Sequence, residues 1–130
     1  GGGIKHDVSV PVSKVANFIT RATRTVTDLL PEIRPVAFGH VGDGNVHFNL
    51  CEPVGADSKK FLARWDEFAR IVHDIVADMG GSFSAEHGVG RLKVEDLAHY
   101  RSAVELSLMH KIKNAFDPLG EMNPGKILAP

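Results

Sequence analysis

Cysteine is nearly absent. The single Cys51 in 130 residues excludes an internal disulfide and is compatible with a reducing compartment. Its expected role is that of a small buried or half-buried apolar residue. Long apolar runs are missing too. No stretch approaches the ~20 residues of a membrane-spanning helix, and no charged-then-apolar leader opens the chain. Neither charge is in surplus: 15 Lys and Arg against 16 Asp and Glu give a net charge of −1, and the basic residues are scattered. That argues against a nucleic-acid or acidic-membrane partner, both of which need a basic surface. There is no internal repeat, low-complexity segment or second domain boundary. With 43% hydrophobic and 24% charged residues, what remains is ordinary globular composition, enough for one domain with a modest core. Gly1-Gly2-Gly3 leads straight into a strand-like segment, and reads as linker or tag residues at the head of a cut piece of a longer polypeptide.

Period-2 alternation over Ile4–Val10 predicts a half-buried strand closed by Pro11. Apolar residues at helical spacing from Val15 to Leu30 predict an amphipathic helix over 12–30, ended by Pro31. Two short strands follow, over 35–41 and 45–52. Asp43-Gly44 between them is the favoured pair for a two-residue type I′ turn. Ser58 is expected to cap a second helix, whose stripe from Phe61 through Trp65 to Met79 reads as core; Gly80-Gly81 stops it. A fourth strand over 82–86 and two helices, over about 93–100 and 102–116, precede an extended tail over 122–130. The order β-α-β-β-α-β plus a helical tail is an α+β, ferredoxin-like arrangement, with helices on one face of an antiparallel sheet and the other face open.

The turn at Asp43-Gly44 sets a register in which His40 opposes His47. Alternation then puts Phe38, His40, His47 and Asn49 on the open face, and Ala37, Val41, Val46, Phe48 and Leu50 toward the helices. Applied to the outer strands, the same parity adds Lys5 and Glu86 to the open face. His87 should point away unless the strand ends there, as Gly88 and Gly90 allow. Two imidazoles and a carboxylate suit Zn²⁺, Fe²⁺ or Mn²⁺, and three protein ligands leave a coordination position open. His87 beside them is placed as a general base and Lys5 as a partner for a substrate carboxylate.

Blander readings compete with each of these. Paired strand histidines are more often hydrogen-bonded surface groups than ligands, and a strand lysine is more often solvated than a clamp. His6, His73, His99 and His110 carry no assigned role. The Gly39–Gly44 segment lacks the following helix and Gly-Lys-Ser/Thr ending of a phosphate loop. Spacing alone supports a metal-binding domain and stops short of a reaction.

Four segments in order add a further argument: Lys5-His6-Asp7-Val8-Ser9-Val10-Pro11, Phe38-Gly39-His40-Val41-Gly42-Asp43-Gly44-Asn45-Val46-His47-Phe48-Asn49, Ser84-Ala85-Glu86-His87-Gly88-Val89-Gly90-Arg91-Leu92-Lys93, and Met122-Asn123-Pro124-Gly125-Lys126-Ile127-Leu128. Together they resemble the C-terminal domain of FAD-linked oxidases, the group holding D-lactate dehydrogenases, the glycolate oxidase flavin subunit and D-2-hydroxyglutarate dehydrogenase. The resemblance runs over residues 4–130. It implies oxidation of a small 2-hydroxy acid by hydride transfer to FAD, which an N-terminal domain of the same polypeptide mainly holds. It also implies His40, His47 and Glu86 as ligands of a divalent metal, commonly zinc, with His87 taking the hydroxyl proton. Lys5 and Asn49 match substrate-contacting positions, and Asn123 sits in the tail motif that approaches the flavin. The implied setting is cytoplasmic, peripheral to the inner membrane or the mitochondrial matrix, and compatible with a homodimer. The FAD-binding domain and the family's substrate-binding arginine fall upstream of Gly1, so the 130-residue piece alone is expected to bind no FAD tightly and to show no turnover. Two readings of other classes stand beside this one: a free-standing metal-dependent hydrolase or metal-binding module using the same three ligands, and a docking domain that needs no metal.

Overall fold

The computed structural model of the chain describes residues 3–129, which fall into two compact units that divide between His87 and Gly88. Gly1 and Gly2, two of the three residues read as linker or tag, lie outside the described residues. So does Pro130. In the first unit β1 (Gly3–Ser9), β2 (Arg34–Phe38) and β3 (Asn45–Cys51) form an antiparallel sheet in the order β1-β3-β2. Helix α1 (Val15–Leu29), entered through a 3₁₀ turn at Val12–Lys14, and helix α3 (Trp65–Asp78) pack on one face of it. The core is what alternation demands. Val46, Phe48 and Leu50 of β3 are buried, as are Ile4 and Val8 of β1. They meet Phe18, Ala22 and Val26 of α1, and Phe68, Val72 and Val76 of α3. Phe18 packs edge-on against Phe48 with ring centroids 5.7 Å apart. This is the expected α+β class, with helices on one face and the other open.

Four local expectations are corrected. The fourth strand shrinks to a single bridge on the free edge of β1, where Ser9 and Ser82 exchange backbone hydrogen bonds of 2.9 and 2.8 Å. Beyond it the Ser82 hydroxyl donates to the Ser84 carbonyl and accepts from the Ser84 amide, curling the backbone away from a ladder. The second helix is two: α2 (Ser58–Leu62) and α3, parted at Ala63-Arg64. Its cap is Asp57, whose carboxylate accepts from the Lys59 and Lys60 amides, rather than Ser58. Trp65, read as core, opens α3 at the break and is 42% exposed. The tail is turned, not extended, as the second unit makes plain.

The hairpin is the fourth correction. Phe38, not His40, stands opposite His47. The connection is not a two-residue turn but a six-residue loop, 39–44, containing a 3₁₀ turn at Val41–Asp43. Its amides are gathered inward: Asp43 and Asn45 N–H both donate to the His40 carbonyl at 3.2 Å. Gly44, at φ +82°, offers its carbonyl to the Val10 amide at 3.1 Å; a Cβ there would lie 2.1 Å from the Val10 oxygen. This glycine serves both the left-handed end of the 3₁₀ turn, where its amide donates to the Val41 carbonyl at 3.3 Å, and the close backbone approach to Val10. The register moves by two residues, which preserves which face each β3 side chain occupies. Val41, expected toward the helices, leaves the sheet with the loop and is exposed.

The second unit holds α4 (Val94–Tyr100) and α5 (Ala103–Phe116), the latter opened by a capping box between Ser102 and Glu105. At the end of α5 the Asp117 carboxylate accepts from Lys113 Nζ and from the Glu121 and Met122 amides, which turns the tail back. No helix of the described residues is long and apolar enough to cross a membrane.

Two outcomes follow. Gly44→Ala should cost about 1–3 kcal/mol through forced displacement of the Val10 backbone. Gly42→Ala, with nothing within 4 Å of the new Cβ, should be near neutral. Urea midpoints of the two variants check this. The Lys113 ammonium, then the two amides, hold the Asp117 carboxyl below its ordinary value against the opposing effect of burial. A depressed folded-state pKa gives stabilisation that is fully present above the unfolded value of ~3.9 and is lost as pH falls through the folded one. Amide-exchange protection of Glu121 and Met122, corrected for intrinsic rates, should therefore fall in that acidic window, and Asp117→Asn should lower it at neutral pH.

Candidate metal and histidine site

The register of β1 against β3 builds the open face in rows. Asp7 stands opposite His47, which stands opposite Phe38; one pair further along, Lys5 stands opposite Asn49, which stands opposite Val36. His6 and Phe48, offset by one residue, point to the helices instead, where His6 Nδ1 lies 2.8 Å from the Phe48 carbonyl. The sheet thus delivers Lys5, Asp7, His47 and Asn49 to one side by alternation alone. Phe38 lies over His47 with centroids 5.1 Å apart.

His40 and Glu86 come from outside the sheet. His40 sits at the start of the 39–44 loop, and its ring lies 6.4 Å from that of His47. Glu86 follows the Ser9–Ser82 bridge. Its carboxylate reaches both imidazoles: Oε1 is 3.5 Å from His40 Nε2, and Oε2 is 3.9 Å from His47 Nε2. Asn45 Nδ2 donates to Oε1 at 3.0 Å and steadies it. One donor atom from each of His40, His47 and Glu86 lies within 4.8 Å of the others. Ligand bonds of about 2.0–2.2 Å at tetrahedral angles require donors about 3.3–3.6 Å apart. The donor set therefore fits a divalent ion with small side-chain adjustments, and its N₂O chemistry suits zinc among other transition metals.

His87 does not point away. Because the segment is not a strand at Glu86, consecutive side chains need not oppose each other, and the His87 ring stacks on that of His47 with centroids 6.1 Å apart. It is 69% exposed, so its outer edge is open to a substrate. Lys5 is exposed and Asn49 half-buried, side by side as register partners. Asn123 belongs to the second unit. There it borders a largely apolar groove of about 700 Å³, lined also by Met109, Ile112, Lys113, Met122 and Leu128.

One residue was passed over in the sequence. Asp7 is 4% exposed although it stands on the open face. The backbone of Glu86 and His87 closes over it, and both amides donate to Oδ2 at 2.9 Å. His47 Nδ1 lies 3.7 Å from Oδ1 and His87 Nδ1 3.7 Å from Oδ2. A second group of metal-compatible donors, Asp7, Glu86 and His87, shares Glu86 with the first. Parity placed Asp7 with Lys5, but only the cross-strand register could reveal that it faces His47.

Residues 1–127 match the family model described as FAD linked oxidases, C-terminal domain. The chain is 42% identical over 125 residues to a D-2-hydroxyglutarate dehydrogenase of Stutzerimonas stutzeri, covering 96% of this chain and 27% of that protein. To a D-2-hydroxyglutarate dehydrogenase of Xanthomonas citri it is 38% identical over 123 residues, covering 95% and 26%. To a D-lactate dehydrogenase of Anaerostipes hadrus it is 35% identical over 121 residues, covering 93% and 25%. The chain spans about a quarter of the length of these curated relatives. By fold pattern, motif and family match, it belongs to the C-terminal domain family of FAD linked oxidases.

Proposed function

We propose that this chain is the substrate-side part of an FAD-dependent dehydrogenase that oxidises a small 2-hydroxy acid to the 2-oxo acid. The observation that carries the reading is the convergence of His40, His47 and Glu86 with His87 stacked beside them. Membership of the family and the names of the relatives, D-2-hydroxyglutarate and D-lactate dehydrogenases, support the reaction class.

The oxidation removes a hydride from C2 and a proton from its hydroxyl. His40, His47 and Glu86 would hold a divalent ion, zinc by preference. Such an ion, when bound, supplies the Lewis acidity that lowers the pKa of a coordinated hydroxyl. His87 takes the hydroxyl proton at the ring nitrogen turned away from Asp7, on the exposed side of the imidazole. Lys5 and Asn49 hold the substrate carboxylate, one register pair along from the histidines; two residues of strand separate these points by roughly 7 Å. Phe38, over His47, excludes water from that side of the imidazole. Gly39 and Gly44 of the 39–44 loop are pressed against the backbone of Asn45 and Val10. The flavin supplies the hydride acceptor, held mainly by the remainder of the parent polypeptide, with Asn123 as this chain's contribution.

Expression of the parent polypeptide and a screen of D- and L-2-hydroxy acids with an artificial electron acceptor tests the reaction. His87→Ala should lower kcat about 10²–10⁴-fold, the range of one general base. Glu86→Gln should remove both zinc binding and turnover without unfolding. Near-normal rates in both variants would defeat the mechanism. Lys5→Ala should raise KM about 10–100-fold, the scale of one charge-assisted hydrogen bond, with a smaller change in kcat.

A further inference from the structure

We infer that Asp7 is a positioning residue for both imidazoles of the site: one buried carboxylate sets the tautomer and ring orientation of His47 and His87 from their Nδ1 sides. The inference rests on the reading above for its consequence in catalysis. It also goes beyond it, because none of the roles assigned there involves Asp7.

The geometry divides the labour of the Asp7 carboxylate. Oδ2 accepts the Glu86 and His87 amides at 2.9 Å, which fixes the backbone that carries Glu86 and His87. Oδ1 faces His47 Nδ1 and Oδ2 faces His87 Nδ1, each at 3.7 Å. These separations are longer than a hydrogen bond but close enough for a modest ring rotation to form one. Such contacts tighten when a site fills. Asp7 is anchored in β1 as the register partner of His47, so it does not move with the loop or with the segment it holds.

A neutral imidazole has one N–H and one lone pair, and an ionised carboxylate only accepts. The nitrogen facing Asp7 therefore carries the hydrogen, which leaves Nε2 of each ring as a lone pair. For His47 that lone pair faces Glu86 Oε2 at 3.9 Å. Two acceptors aimed at each other repel unless a cation lies between them. Asp7 thus prepares the His47–Glu86 gap for a metal ion, in the carboxylate–histidine–metal arrangement known to orient ligands. For His87 the same constraint leaves the exposed Nε2 free to accept the hydroxyl proton, with a carboxylate behind it to stabilise the imidazolium that results. One side chain thereby ties the ligand set to the base.

The test uses the 130-residue chain with ¹⁵N-labelled histidine rings, at about pH 8 where imidazole is neutral. Two-bond ¹H–¹⁵N spectra report which ring nitrogen carries the hydrogen. His47 and His87 should both be Nδ1–H tautomers, against the Nε2–H form that unconstrained imidazole favours. Asp7→Asn keeps an oxygen for the two amides but offers a donor on the histidine side. It should shift His47 toward Nε2–H and weaken zinc binding, read by calorimetry, about 10–100-fold, while His87 still meets the retained oxygen; Asp7→Ala, which removes both oxygens, should shift both rings. In the parent enzyme the same substitution should lower kcat with little change in KM. Nε2–H tautomers at His47 and His87 in the unsubstituted chain would overturn the inference, whatever the stability of the variant. So would zinc affinity and tautomers that ignore Asp7→Asn. Nδ1–H tautomers that depend on Asp7 in a chain that binds no zinc would uphold the positioning role and sink the metal reading instead.

Discussion

The antiparallel register of β1 on β3 is the constraint on which the rest of the site depends. It sets Asp7 opposite His47 and Lys5 opposite Asn49, and it turns His6, Val8 and Phe48 to the helices. Every polar group on the open face from these two strands is placed by that one pairing. A slip of a single residue would send His47 and Asn49 into the core and bring Val46 and Phe48 out. The apolar residues of β3 bury against Phe18 and Phe68, so the hydrophobic core itself enforces the register that the site needs. Stability and site geometry are in this sense one problem, solved by the same strand.

The two groups from outside the sheet arrive by tethering. His40 is carried by a loop whose Gly44 is pressed against the backbone of Val10, and Glu86 by a segment whose amides are held on Asp7. Both tethers end on β1 or just beyond it. That strand therefore organises a loop before it in space and a segment far from it in sequence, with no ladder joining the two. The second unit carries its own solution: α5 ends on Asp117, which collects Lys113 and two tail amides and fixes the turn containing Asn123.

Much of this was legible in the residues. Alternation in Asn45–Cys51 and helical spacing in Val15–Leu29 named the buried residues, Leu29 excepted, because burial on one face leaves a periodic record. The glycine stop after α3 was legible for the same local reason. The convergence of His40, His47 and Glu86 was expected from parity, but through the wrong hairpin: Asp43-Gly44 looks like a two-residue turn, and Gly44 instead caps a 3₁₀ turn within a six-residue loop and packs against the Val10 backbone. Parity survived for the β3 residues because the register error was two residues, whereas His40 and Glu86 reach the cluster from a loop and a turn that parity does not describe. The fourth strand was misread because serine side chains at Ser82 compete for the backbone. Trp65 was misread because a helix break cannot be seen in an unbroken apolar stripe. Asp7 was missed altogether, since which residue faces it across the sheet is a tertiary fact. The chemistry beyond a metal-compatible cluster came from motif resemblance, which the family match over residues 1–127 supports.

The central claim, that His40, His47 and Glu86 form one ligand set, is tested most directly by X-ray absorption at the zinc edge of the zinc-loaded chain. Two imidazole nitrogens with oxygen donors at about 2.0–2.2 Å are predicted, and no sulfur. A spectrum of oxygen donors alone, or one with the Cys51 sulfur in the shell, would contradict it.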